Sequence, residues 1–223
     1  MICPACKSEI AESSASCSVC GAKLSHVRVE PNDAVIDPSQ VMKDSWRALQ
    51  LIFRDPIGGI ARAYRDLGDR RALLAGVIFA IAMDLCELFA ILKILPSYVS
   101  VSFGDVLQIL LYGLSLPVFL FVSLTVLSKT TVKTVSWQAA AFVSGITVLP
   151  LAGMSLVVAL IGIASDEVLA VFGMFAFTFT IMLLFSGCTK ILQFSDRSSF
   201  VLVPVVLMIS AGLSFLVIKT LVS

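Results

Sequence analysis

Four cysteines open the chain at Cys3, Cys6, Cys17 and Cys20, reading Cys-Pro-Ala-Cys, ten intervening residues, then Cys-Ser-Val-Cys-Gly. A Cys-x-x-Cys pair followed by a small residue or glycine lets the backbone turn over a metal as a knuckle. Two such pairs supply the four thiolates of a tetrahedral structural zinc site. A segment of about 25 residues buries too little apolar surface to fold alone, so bound Zn2+ would supply its folding free energy. Two disulfides, a redox dithiol or rubredoxin-like iron are the alternatives. Disulfides need an oxidising compartment, and a redox dithiol needs no second pair at matched spacing; spacing alone does not separate zinc from iron. A closed four-thiolate site has no open coordination position, so it reads as a fold element or docking surface and not as a catalytic centre. Lys7 and Lys23 flank the knuckles, and His26, the only histidine, reads as a solvated linker residue.

A second pair of chemically capable residues, Asp84 and Glu87, lies in the middle of an apolar stretch and, three residues apart, on one helical face. A carboxylate at bilayer depth costs about 2.5–3.5 kcal/mol on insertion scales and nearly always faces a bundle interior or a wet cavity. Two readings stay open. Protonated acids could be hydrogen-bonded to Gln108, Tyr112, Ser115, Thr147 or Ser186, a purely structural arrangement. Alternatively the pair forms an intramembrane polar site, either proton- or cation-coupled or a groove admitting lipid headgroups or a partner helix. Cys86 and Cys188 read as small core residues.

The elements that must carry these residues follow from composition. The chain of 223 residues is 58% hydrophobic and 14% charged, against roughly 45–50% and about 25% in soluble domains. Ten of the 16 Lys/Arg and nine of the 15 Asp/Glu lie in the first 71 residues. This excludes a soluble enzyme and a secreted disulfide scaffold, and a net charge of +1 leaves no electrostatic footprint for nucleic acid. The start, Met1-Ile2-Cys3-Pro4, has no basic segment, apolar run or cleavage site of a signal peptide, so the N-terminus is expected to be retained.

Five apolar stretches, 72–95, 106–127, 137–164, 168–188 and 200–222, make up a five-span domain over 72–223. Each can cross a hydrocarbon core of about 30 Å, which takes around 20 helical residues. The connections alternate in charge: 96–105 and 165–167 carry no Lys or Arg, whereas 128–136 holds Lys129 and Lys133, and 190–199 holds Lys190 and Arg197. The positive-inside rule then places the N-terminus in the cytosol and the C-terminus outside, which also puts the knuckles in a reducing compartment. Pro117, Pro150 and Pro204 predict bends. Gly145 with Gly153, Ala159 with Gly162, Ala170 with Gly173 and Ala176, and Ala211 with Gly212 are candidate close-packing faces.

Between the knuckles (1–24) and the spans lie a polar linker, 25–38, read as a flexible tether, and an amphipathic region, 39–71. Ser39 is the expected N-cap. Met42, Trp46, Leu49 and Phe53 recur on one face, and Asp55-Pro56 ends that helix before a second amphipathic set around Ile60 and Tyr64. From Lys43 to Arg71 there are seven Lys/Arg and four Asp/Glu. An apolar face with Trp46, flanked by Arg47, Arg54, Arg62 and Arg65, suits an anchor in the headgroup layer of an anionic leaflet; packing on the cytosolic ends of the spans is the compatible alternative. The expected fold is therefore an all-α membrane protein, a five-transmembrane-helix bundle with a small N-terminal zinc ribbon and amphipathic juxtamembrane helices.

The amphipathic segment with Phe53-Arg54-Asp55-Pro56, the five spans, and the last cytosolic loop Phe194-Ser195-Asp196-Arg197-Ser198-Ser199 running into Phe200-Val201-Leu202-Val203-Pro204 resemble the Yip-type membrane proteins in their prokaryotic, zinc-ribbon-bearing form. The Asp-Leu-Tyr-Gly-Pro run of eukaryotic members does not occur, and only Leu111-Tyr112-Gly113 stands near it. The resemblance implies a non-enzymatic protein of membrane organisation or trafficking type in a prokaryotic cytoplasmic (inner) membrane, with no catalytic residues to carry over. Expected partners are the lipid bilayer, a protein docking on the zinc ribbon or on transmembrane faces, and a further copy of the chain. The competing function is a small transporter or lipid-handling protein using Asp84 and Glu87.

Overall fold

Asp37-Pro38-Ser39 carries a strong helix-start signal, because a carboxylate can accept from the first free backbone N–H groups and a proline at the first helical position sacrifices no hydrogen bond. The computed structural model, which describes residues 37–94, 102–131, 136–161 and 166–222, uses it. Asp37, not Ser39, is the N-cap of α1 (Pro38–Arg54), accepting from the Ser39 amide and hydroxyl at 2.9 Å each. Helix thus begins one residue inside the stretch expected to be linker. The knuckle cysteines and the rest of the tether lie outside the described residues.

Six further helices follow: α2 (Gly59–Ile94), α3 (Phe103–Thr131), α4 (Trp137–Thr147), α5 (Leu149–Ile161), α6 (Asp166–Lys190) and α7 (Asp196–Val222). The described residues are otherwise turns and short connections. Five segments are long and apolar enough to cross a membrane, with mean hydropathy of 2.1 to 2.6 over their most apolar windows. The helices overrun the apolar stretches that announce them. They run out to Asp105 and Asp196 at N-termini and to Lys129 and Lys190 at C-termini, where charge of that sign complements the helix dipole.

The α1–α2 turn is built around Asp55. Its amide closes α1 on the Leu51 carbonyl at 3.0 Å, its carbonyl accepts from the Gly59 amide at 2.7 Å, and its carboxylate accepts from the Gly58 amide at 2.9 Å and pairs with Arg62. α1 then runs back along the start of α2, and Asp44 meets Arg71 at 3.2 Å to close the hairpin. The Gly58 amide, and secondarily the Arg62 guanidinium, hold the Asp55 carboxyl below the usual carboxylate range. A folded pKa below the unfolded one means that the turn's stabilisation is complete at neutral pH. It is lost as pH falls through the folded value, on the acid side of about pH 4. Acidification through that window is therefore expected to lower the melting temperature of the detergent-solubilised chain by more than it lowers that of Asp55→Ala. Parallel melting curves for the two proteins against pH would show that the carboxylate has no such role.

α2 is not one straight rod. Gly68 sits at φ +68°, ψ 167°, a backbone conformation that glycine adopts without penalty. The turn it makes separates the amphipathic segment 59–67 from the apolar segment 69–94. The apolar stretch starts at residue 72, and the chain turns a little before it. The third apolar stretch is also divided. α4 ends at Thr147, Val148 forms a turn, and α5 starts with Pro150 as its second residue. The proline ring has no N–H for the ladder and crowds the carbonyl four residues back, so the break falls just ahead of it. Pro117 and Pro204 lie inside helices that run on.

α2 is the central element and packs against α1, α3, α4, α5 and α6, while α7 lies on α3 and α6. The tightest approach is between α2 and α4 at Gly76 and Gly145. A Cβ on Gly76 would lie 2.5 Å from the Ala141 carbonyl oxygen and 2.8 Å from the Phe142 Cα, and one on Gly145 would strike the Gly76 carbonyl. Gly145 is thus a packing glycine as expected, and it meets Gly76 of α2. Gly153 and Gly212 face open space, and Gly173 meets only the Met154 side chain. The small-residue spacing did not predict which glycines are used, because that depends on which face of each helix a neighbour occupies.

Candidate functional site

On α1 the residues Val41, Ser45, Ala48 and Ile52 are buried. Ala48 and Ile52 join Ile60, Ala63 and Leu67 of α2 in the core. The expected stripe Met42, Trp46, Leu49 and Phe53 lies one residue round the helix. Met42, Trp46 and Phe53 are 58%, 61% and 67% exposed, with Leu49 half-buried. α1 therefore has two adjacent apolar faces. One is seated on α2; on the other, Met42, Trp46 and Phe53 are largely exposed, while Leu49 packs against the core. The seated face was missed because its small members, Ser45 and Ala48, contribute little hydrophobic signal but allow the close approach.

The arginines named with this stripe are partly committed locally. Arg47 stands 3.8 Å from Asp44, Arg62 pairs with Asp55, and Arg65 donates to the Ala61 carbonyl at 3.3 Å; Arg54 is exposed at the end of α1. The cation that holds the hairpin shut is Arg71, which spacing along the chain does not distinguish from its basic neighbours. Two further hydrogen bonds fix the hairpin to the bundle. Ser186 of α6 donates to the Ile57 carbonyl at 2.7 Å, and the Tyr64 hydroxyl lies 3.2 Å from that of Ser136 at the start of α4, its ring packed 5.6 Å from Phe142. The hairpin, the start of α4 and the end of α6 therefore share one face of the bundle, the face that also carries Lys190.

Asp84 and Glu87 sit side by side on α2 against Gly113 of α3. A Cβ at Gly113 would lie 3.1 Å from Glu87 Oε2 and 3.2 Å from Asp84 Cγ, and closer still to Asp84 Oδ1. The missing side chain of Gly113 is the space the two carboxyls occupy. Asp84 is only 8% exposed and Glu87 half-buried. Asp84 Oδ1 and Glu87 Oε2 are enclosed without any hydrogen-bond partner. Three of the hydroxyls expected to serve them are engaged on backbone instead. Ser115 donates to the Tyr112 carbonyl at 2.6 Å, Thr147 to the Val143 carbonyl at 2.6 Å, and Ser186 to Ile57. A serine or threonine in a helix has a carbonyl of the preceding turn always within reach, and this local acceptor outcompetes a side chain on another helix. Gly113 is the residue of this site that sequence reasoning passed over, although it stands in the quoted Leu111-Tyr112-Gly113.

A third feature is an apolar cleft of about 440 Å³ between the end of α1, α5 and α6, with Phe53, Pro150, Met154, Phe175 and Phe179 among its walls. Such a wall can receive hydrocarbon and offers no group for polar chemistry. Among the described residues no cluster of three or more His, Cys, Asp or Glu could hold a metal ion. The cysteine knuckles are outside that set.

These features define a multi-pass membrane protein, helical throughout its described spans, with an acidic pair enclosed between two of them. No protein-family model, curated protein or solved structure matches the chain.

Proposed function

We propose that this protein is a non-enzymatic, membrane-anchored adaptor of Yip type, of the organisation or trafficking kind, in a prokaryotic cytoplasmic membrane. Its cysteine knuckles hold a structural zinc and form the docking module on the cytosolic side; the C-terminus is external. The observation that carries this reading is the clamped α1–α2 hairpin. Its outer face of Met42, Trp46 and Phe53 would be costly in water but is at home in a headgroup layer, where the flanking arginines meet anionic lipid. The hairpin is tied to the same end of the bundle as Lys190 by Ser186 and Tyr64, which accords with a basic, cytosolic face.

The test compares the full chain with a Cys17→Ser, Cys20→Ser double variant, both in native membranes, by crosslinking and affinity purification. A soluble cytosolic protein recovered with the parent and lost with the variant, while the two chains stay equally membrane-inserted, is the expected result. The same set of partners from both would remove the docking role from the knuckles.

A further inference from the structure

We propose that Asp84 and Glu87, seated against Gly113 between α2 and α3, form a binding site for one exchangeable proton inside the membrane. The inference rests on the described bundle alone and does not depend on the function of the cysteine module.

Three observations carry it. First, depth: Asp84 is ten residues from the end of α2 and Gly113 ten residues from the start of α3, about 15 Å along each helix at 1.5 Å per residue. The pair is therefore near the middle of a hydrocarbon core of about 30 Å. Second, enclosure without partners: Asp84 is 8% exposed, and one oxygen of each acid is sealed off with no donor. A buried acceptor left unpaired is costly, and an unpaired buried charge far more so. Third, the cradle: the space at Gly113 brings both carboxyls against the α3 backbone.

Something must supply positive charge or a donor to this pair. Arg47, Arg62 and Arg71 form ion pairs with Asp44 and Asp55 at the hairpin, far from it along the chain. A metal ion is a poor fit, since Ca2+ takes six to eight oxygen ligands and Mg2+ about six, whereas among the described residues no third His, Cys, Asp or Glu joins the two acids. A proton needs a single acceptor. It turns one carboxylate into an O–H donor that the neighbouring acid three residues on can accept, so the two acids can complete one another with one proton and one residual charge.

The surroundings contain few other titratable groups. Tyr112 of α3 lies within electrostatic reach of Glu87. α4 and α5 contain no titratable residue. Asp105 and Lys129 of α3, Asp166, Glu167, Cys188 and Lys190 of α6, and Asp196, Arg197 and Lys219 of α7 are at or near helix ends; α2 adds Cys86 and Lys93 beyond residue 71, and its other titratable residues, Arg62 to Arg71, lie at its N-terminal end. Tyr112 is thus the foreign group to control for.

The experiment uses the full chain reconstituted in phosphatidylcholine vesicles and dicyclohexylcarbodiimide, an apolar reagent that adds to protonated carboxyl groups within lipid, with peptide mass spectrometry as the readout. An adduct at Glu87 or Asp84 is expected at neutral pH. Its rate should be level in acid and fall about tenfold per pH unit above the titration midpoint, and be unchanged by Na+, K+ or Ca2+. Tyr112→Phe should keep the adduct. Asp84→Asn with Glu87→Gln should abolish it without changing the melting of the bundle. Three results would overturn the proposal. One is no adduct at either acid between about pH 5 and about pH 9, and another is a rate flat across that range, which marks a permanently protonated structural pair. The last is suppression by one of the cations at fixed pH, which assigns the site to that cation.

Discussion

Gly76→Ala is expected to lower the stability of the bundle by about 3 kcal/mol or more, seen as a large drop in melting temperature in detergent. The added Cβ would be placed 2.5 Å from the Ala141 carbonyl oxygen, 2.9 Å from its carbonyl carbon and 2.8 Å from the Phe142 Cα. All three are backbone atoms of α4, so no side-chain rotation relieves them, and the whole of α4 must move away from α2. That displacement opens the most completely buried part of the protein, where Phe142, Val143 and Ile146 have no exposed surface. In a bilayer there is little hydrophobic drive to hold the helices together once the fit is lost, because lipid tails are as apolar as the side chains. Gly153→Ala and Gly212→Ala are the controls. Nothing lies within 4 Å of a Cβ at either position, and alanine favours an exposed helix interior over glycine by about 1 kcal/mol, so these variants should match or exceed the parent. If Gly76→Ala melts with them, α2 and α4 do not meet as described.

Replacing Cys3 and Cys6, or Cys17 and Cys20, by serine is expected to remove one Zn2+ per chain and unfold the N-terminal segment. Apparent binding free energies of structural zinc in finger-type peptides are about 10–16 kcal/mol at neutral pH, and in a segment this short that is folding free energy. Either pair alone leaves two thiolates, half of a tetrahedral site. The measurements are metal content of the purified chain and limited proteolysis within the first 36 residues. The melting transition of the bundle should be unchanged. A parent chain carrying iron, or no metal, would refute the zinc assignment, and proteolytic patterns identical in parent and variant would refute the dependence of folding on the cysteines.

What could be read from the sequence, and what could not, divides along the range of the interactions concerned. The spans were visible because crossing a membrane demands an apolar run of fixed length, a property of consecutive residues. The helix stop at Asp55-Pro56 and the break ahead of Pro150 were visible because capping and the missing proline N–H act within one turn. The N-cap was misplaced by two residues, from Asp37 to Ser39, since both residue types cap and only the carboxylate geometry chooses between them. Asp84 and Glu87 stood out because charge is expensive in an apolar stretch wherever the chain folds.

Pairings between helices were a different matter. Five hydroxyl, amide or phenol partners were conceivable for the acids, and three of them turned out to be bonded to backbone carbonyls. Of the glycines offered as packing positions, Gly162 lies outside the described residues; among the described ones only Gly145 meets another helix's backbone, and it meets a glycine outside the set.

By itself, then, the amino-acid sequence determined that this is a membrane protein with five apolar helices, a charged N-terminal third and two misplaced carboxylates. Periodicity, hydropathy and charge are local sums that need no knowledge of neighbours. Only the tertiary structure decided that Gly76 and Gly145 allow α2 to lie at the centre, that α1 turns Met42, Trp46 and Phe53 outward, and that Gly113 makes room for Asp84 and Glu87. Each of these depends on which helix face meets which. In an apolar chain, where every face is nearly as hydrophobic as the next, that choice is made by the shape of backbone against backbone and leaves almost no trace in the pattern of residue types.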